Sequence, residues 1–262
     1  MAVHRKVTSG EPYSIRPVSR TVLRVVVPLA AFNIIGHVFS AYAIAHASVS
    51  FVHTVKALSP LFTVALSSVV LRVQYSRAVY ASLLPLVVGV MLACWSEVSY
   101  NAVGFFCALS SSLIFVIQNL VSKKAFVSGT FDELNLLLHS AWVAFVIMLP
   151  MWLYSEGFSI IFGDVVIEPY VVLLFFLNGV AHFGQNILAF TMMTLVTPVS
   201  YSIASLMKRV FVIGAAIIWF ATPFTPQNLL GLILTFVGLY MYQQAKPGKS
   251  TESNNHSNSR TL

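Results

Sequence analysis

Eight apolar runs follow one another with little between them, at roughly 24–45, 48–71, 78–96, 102–122, 134–154, 169–194, 198–221 and 226–243. A helix rises about 1.5 Å per residue, so about 20 apolar residues cross the hydrocarbon of a bilayer. Lipid offers the backbone no hydrogen-bond partners, and a run of this kind must satisfy its own amides by folding as an α-helix. Composition agrees: 58% of the residues are apolar and 9% charged, against about 25% charged in soluble domains. A water-soluble globular fold is excluded. The expectation is an all-α polytopic membrane protein of about eight transmembrane helices over residues 22–244. A polar N-terminal segment at 1–21 and a disordered tail at 245–262 flank it. No apolar stretch with a cleavage site follows the first residues, so no cleaved targeting peptide is expected.

The connections alternate in charge. Arg5, Lys6, Arg16, Arg20 and Arg24 precede the first run, Arg72 and Arg77 follow the second, Lys123 and Lys124 the fourth, and Lys246, Lys249 and Arg260 end the chain. The intervening connections hold Glu97, and then Glu156, Asp164 and Glu168, with no Lys or Arg. By the positive-inside rule both termini, and with them the tail, are expected in the cytosol. The net charge of +7 is thus spent on membrane orientation, and no nucleic-acid partner is expected. Cys94 and Cys107 have neither metal nor redox spacing and read as small hydrophobes.

An internal repeat appears at an offset of 149 to 150. Ala47-Ser48-Val49-Ser50-Phe51 opens the second run and Thr197-Pro198-Val199-Ser200-Tyr201 the seventh, and Val88-Gly89 matches Val237-Gly238 one run later. The two copies start on opposite sides of the membrane. Inverted repeats of this kind characterise secondary transporters, with the substrate near the midplane.

Within the runs only Lys56, Lys208 and Arg209 carry charge far from an end, Lys56 about 12 Å and Lys208 about 15 Å into their helices. A charge at that depth costs on the order of 2.5–3.5 kcal/mol on insertion scales. No Asp or Glu is expected inside a run, so the counter-ion must come with the substrate. Guanidinium can grip two oxygens while ammonium groups act as point charges, which suits a phosphate dianion. Pro60, four residues after Lys56, cannot donate to the Lys56 carbonyl and should loosen the helix there. Asn33, His37, Ser40, His53, Asn119, His139, His182, Gln185 and Asn186 are the other polar groups in the runs; such residues most often join helices to one another. No zinc spacing, nucleophile triad or Gly-rich phosphate loop appears, so neither an enzyme, a metal nor a cofactor is expected.

Three stretches carry a resemblance: Asn33 to Pro60 (NIIGHVFSAYAIAHASVSFVHTVKALSP), Phe115 to Lys124 (FVIQNLVSKK) and Pro198 to Ile213 (PVSYSIASLMKRVFVI). They are similar to the triose-phosphate translocator family of the drug/metabolite transporter superfamily, over residues 19 to 243. The wording HFGQNILAF resembles the fungal and animal secretory-pathway members more than the chloroplast ones. The resemblance implies phosphate binding by Lys56, Lys208 and Arg209, and a cavity lined by His37, Ser40 and Phe115. Gln185 falls where chloroplast members use a tyrosine for the phosphate, a departure from their pattern. Members resemble a ten-helix bundle of two inverted halves, and this chain is expected to lack its first two helices.

The expected function is an antiporter exchanging a phosphorylated small metabolite, such as a triose or sugar phosphate, for inorganic phosphate across a lipid bilayer. A nucleotide-sugar or nucleoside monophosphate carrier is the alternative within the fold, and a non-transporting scaffold of the secretory pathway the alternative outside it. The location expected from the resemblance is a Golgi or endoplasmic-reticulum membrane rather than a plastid.

Overall fold

Ser19, Ser48, Asn101 and Thr225 stand at helix starts, where each side-chain oxygen accepts a backbone N–H of the first turn: from Val22 at 3.3 Å, Phe51 at 3.2 Å, Val103 at 2.8 Å and Asn228 at 3.2 Å. Pro169 and Pro198 open two further helices, and Pro226 follows Thr225, each at a first position where a missing N–H costs nothing. The helices so defined are α1 (Arg20–His46), α2 (Val49–Lys56), α3 (Ser59–Val70), α4 (Arg77–Trp95), α5 (Ala102–Val127), α6 (Glu133–Trp152), α7 (Phe158–Ile161), α8 (Pro169–Leu195), α9 (Pro198–Trp219) and α10 (Pro226–Ala245). The computed structural model describes residues 19–70, 72–97, 100–127, 133–163, 168–195, 198–221 and 225–245. The tail and most of the N-terminal segment expected from the sequence lie outside them.

Six stretches among the described residues are long and apolar enough to cross a membrane: Val22–His46, Val49–Val69, Arg77–Trp95, Ala102–Ser122, Asn135–Ile161 and Pro169–Leu188. The protein is an all-α polytopic membrane protein. Helices α9 and α10 occupy the seventh and eighth apolar runs. One boundary is corrected. The fifth run does not stop near 154, because a π-turn over Leu153–Gly157 carries the helix into α7 and brings Glu156 inside it. The carboxylate therefore belongs to the last turns of a helix rather than to a connection, with its side chain exposed.

The chain divides into two units, residues 1–34 with 122–196 and residues 35–121 with 197–262. In the first unit, Val22, Val26, Leu29 and Ala30 form a buried stripe on α1, and Asn135, Leu136 and His139 one on α6. His139 Nδ1 lies 2.6 Å from the Asn135 carbonyl, and Asn186 Nδ2 donates to the His182 carbonyl at 2.9 Å. Both bonds run within a single helix. Helix α8 keeps its side chains exposed from Pro169 to Phe183, as suits a helix whose solvent is lipid.

The second unit is built on α4 and α10, which run antiparallel with their backbones in close contact. A Cβ added to Gly89 would stand 2.4 Å from Thr235 N, and one added to Gly238 2.4 Å from Leu86 N. Gly231 meets Ala93 N in the same way, at 2.6 Å. Lipid tails are as apolar as leucine, so such helices gain by close packing, and small residues permit it. The seam is reciprocal under the sequence offset of 149: Gly89 against Thr235 maps onto Gly238 against Leu86. Beside it Ala57, Leu58, Val64, Val79, Leu83, Val90, Leu239 and Tyr242 complete one apolar core, and Ala43, Phe51, Val52, Val55 and Ala108 form a second. Cys94 and Cys107 are free, half-buried and packed on the second cluster.

Candidate functional site

The second apolar run is not one helix. Between α2 and α3 the backbone tightens: the amides of Ala57 and Leu58 donate three residues back, to Thr54 at 3.0 Å and Val55 at 3.1 Å. The next carbonyl is that of Lys56, and the residue that would donate to it in a continuous helix is Pro60. Two other donors fill the place. Ser59 Oγ donates to the Lys56 oxygen at 2.5 Å, and Arg209 Nη1 donates to it at 3.1 Å. The loosened helix expected from Pro60 thus presents an acceptor, and a guanidinium from α9 takes it.

The ammonium of Lys56 reaches across to α1, where it donates to Ser40 Oγ. It also stands 5.9 Å from the centroid of the Phe115 ring on α5, within range of a cation–π attraction. His37, one turn before Ser40, meets the same ring edge-on, with centroids 5.2 Å apart at 76°. Gly36 makes this possible, because a Cβ there would lie 2.9 Å from the ring. Helices α1, α2, α5 and α9 of the second unit therefore bring Lys56, Arg209, Ser40, His37 and Phe115 together. Among the described residues the hydrogen bonds of Lys56 and Arg209 go to a hydroxyl and a carbonyl, not to a carboxylate.

The other two expected residues, Lys208 and Gln185, are exposed. Lys208 precedes Arg209 by one residue, about 100° around α9, and its side chain is exposed where that of Arg209 is half-buried. His53, one turn before Lys56 and half-buried, lies within the electrostatic reach of Lys56, Arg209 and Lys208. Gln185 belongs to α8 in the first unit, with its side chain exposed.

Three residues escaped the sequence reading. Ser59 holds the Lys56 carbonyl, and its hydroxyl oxygen lies 3.0 Å from Ser112 Oγ. The signal for both was their spacing, since Ser59 is three residues after Lys56 and Ser112 three before Phe115, each on the face of the named residue. The third is Glu97, read from the sequence as an acidic loop residue. Its Oε1 accepts from Ser48 Oγ at 3.0 Å and its Oε2 from Asn228 Nδ2 at 3.2 Å, joining the start of α2 to the start of α10. A cavity of about 10 Å³, room for about one water, lies behind it between Ser50, Thr54, Asn228 and Ile213.

Residues 7–243 match the model of the Triose-phosphate Transporter family. Over 246 residues the chain is 47% identical to "Putative transporter C83.11" of Schizosaccharomyces pombe, covering 90% of this chain and 54% of that protein. It is 35% identical to phosphoenolpyruvate/phosphate translocator 3, chloroplastic, of Oryza sativa subsp. japonica, over 88% of this chain and 61% of that one. Against the chloroplastic triose phosphate/phosphate translocator of Zea mays it is 32% identical, over 88% and 57%. The chain thus spans little more than half the length of the curated relatives it matches. The Golgi or endoplasmic-reticulum location expected from HFGQNILAF is corrected by these relatives, most of which are chloroplastic translocators and favour a plastid membrane. That short stretch was a weaker guide than similarity along nearly the whole chain. With a family model matched from end to end of the membrane region, the chain belongs to the Triose-phosphate Transporter family, a family of transporters rather than enzymes.

Proposed function

We propose that the chain acts as an antiporter exchanging a phosphorylated small metabolite for inorganic phosphate, with Lys56 and Arg209 as the core of the anion site. Lys208 adds charge beside them, and His37, Ser40 and Phe115 shape the remainder of the cavity. The observation that carries this reading is the pairing of two cations from different helices at a helix break, with hydrogen bonds, among the described residues, to a hydroxyl and a carbonyl. Like charges brought together in a low-dielectric setting repel strongly, and a dianion offsets the repulsion. Relatives named as phosphoenolpyruvate/phosphate and triose phosphate/phosphate translocators support the substrate class. The higher identity to the Schizosaccharomyces pombe protein supports nearer kinship to the fungal member.

The architecture in this reading is eight spans of a ten-helix inverted-repeat fold, supported by the reciprocal seam of α4 and α10. Alternating access then explains obligatory exchange. An empty site can open to water on either side, but crossing between the two states strips that water from the cations, whereas a bound dianion moves with them. A preference of ~4 kcal/mol for the loaded crossing slows the empty one roughly 10³-fold. The test is reconstitution of the full chain into liposomes with and without internal phosphate. Uptake of labelled phosphate should require phosphate inside and be competed by triose phosphates or phosphoenolpyruvate. Equal uptake into empty and loaded vesicles overturns exchange, competition by nucleoside monophosphates alone assigns a nucleotide-sugar carrier, and binding of no anion assigns a scaffold.

A further inference from the structure

We infer that Pro60 and Ser59 are positioning residues for the anion site: together they reserve the Lys56 carbonyl for Arg209, and so set where the guanidinium stands. This deepens the reading of Lys56 and Arg209 as the anion site and rests on it.

A backbone oxygen inside a helix normally accepts the amide four residues on, and here that residue has no amide hydrogen. The Lys56 oxygen has two lone pairs, and its two acceptor directions are filled by Ser59 Oγ at 2.5 Å and Arg209 Nη1 at 3.1 Å. A serine hydroxyl has a single hydrogen, and that of Ser59 is committed to the carbonyl. The 3.0 Å contact with Ser112 must then be a bond that Ser112 donates. Ser112 is buried, so its hydroxyl is held in place by its surroundings. The chain Ser112 to Ser59 to the Lys56 oxygen holds one acceptor direction of that carbonyl in place and leaves the other to Arg209.

The geometry has a consequence for the ligand. Guanidinium is planar, with five N–H donors in fixed directions. Anchoring one of them on the end of α2 fixes the plane of the group and leaves its other donors free for an anion. The ammonium of the same residue, Lys56, is fixed separately by Ser40 and Phe115. The backbone of one binding residue thus acts as the post for the other. A proline that did nothing more than bend the helix would leave this pairing unaffected when exchanged for another residue tolerating the bend.

The experiment compares Pro60→Ala, which restores an amide donor, with an amide-to-ester replacement in which residue 60 is lactic acid, which removes it again without the proline ring. Both are made in the full chain. Phosphate binding should weaken about tenfold in Pro60→Ala and return to within about twofold of wild type in the ester variant. Ser59→Ala, which empties one acceptor direction of the Lys56 oxygen and lets the guanidinium shift from its place, should weaken binding by about threefold. The second readout needs no anion. In a thermal-unfolding cycle, Arg209→Gln should lower the midpoint in the wild-type background and have a smaller effect with Pro60→Ala, because the bond it deletes has already been displaced. Coupling in that cycle without phosphate binding by the wild type rejects the anion-site reading while upholding the reserved carbonyl. Phosphate binding by the wild type with no coupling, or with Pro60→Ala and its ester equally impaired, overturns the inference.

Discussion

Replacing Gly89 by alanine should destabilise the second unit by an amount set by the seam between α4 and α10. The added methyl would stand 2.4 Å from Thr235 N, 2.7 Å from the Gly231 oxygen and 2.7 Å from Thr235 Oγ1. Ordinary contact between heavy atoms needs about 3.5–4.0 Å, and two of these three neighbours are backbone atoms that no rotamer change can move. The helices must therefore part by about 1 Å. Overpacking of this kind costs typically ~1–3 kcal/mol, and a gap of that width forfeits a quarter to a half of the dispersion energy of the neighbouring contacts. Helix propensity returns up to ~1 kcal/mol of it. The expected net effect is a loss of about 1–2 kcal/mol or more, where Gly214→Ala, whose new methyl has nothing beyond its own helix backbone within 4 Å among the described residues, should gain the propensity term alone. Gly238→Ala should match Gly89→Ala, because its methyl meets Leu86 N at the same 2.4 Å. The double variant should cost less than the two single losses together, since both methyls open the same seam and either one relieves the other. Unfolding in detergent, followed by tryptophan fluorescence, measures all four proteins. A Gly89→Ala variant as stable as Gly214→Ala, or fully additive losses, would refute a backbone-to-backbone seam.

Gly36→Ala should behave differently, because its methyl meets the Phe115 ring, which can swing away. Stability should stay within about 0.5 kcal/mol of wild type, while phosphate binding, measured by calorimetry, should weaken by about 0.5–1 kcal/mol as the ring leaves Lys56. Glu97→Ala should lower unfolding stability by about 1–3 kcal/mol, since it deletes two hydrogen bonds to a charged acceptor and leaves Ser48 and Asn228 short of a partner. Glu97→Gln, which keeps one acceptor, should fall between the two, and an Ala variant as stable as wild type would refute the bridge. Arg209→Lys should bind phosphate at least about tenfold more weakly, because an ammonium cannot hold the Lys56 carbonyl and two anion oxygens in one plane. Wild-type affinity in that variant would make the charge sufficient.

The apolar runs and the deep cations were legible in the sequence because both follow from local composition: lipid dictates a helix wherever about 20 apolar residues adjoin, and a lysine in such a run has to be exceptional. The break at Pro60 was legible for the same reason, since a missing amide is a property of one residue. So was the offset of 149, because like positions in two copies carry like residues. What periodicity does not contain is the register in which faces meet. Gly89 and Gly238 were matched in sequence, but that each lies against the other's helix follows only from how α4 and α10 cross. Lys208 and Arg209 looked equivalent, yet one residue of helical rotation separates an exposed ammonium from a guanidinium turned onto α2. Glu97 read as a solvated loop charge until the starts of α2 and α10 converged on its carboxylate. The α7 extension beyond Gly157 was hidden by Glu156, because a hydropathy reading stops at a charge that a helix end can carry outward. The sequence decided which residues enter the membrane and which of them must find a partner; tertiary structure decided the partner, because hydrogen bonds at 2.5 to 3.2 Å depend on the placement of helices up to 153 residues apart in the chain.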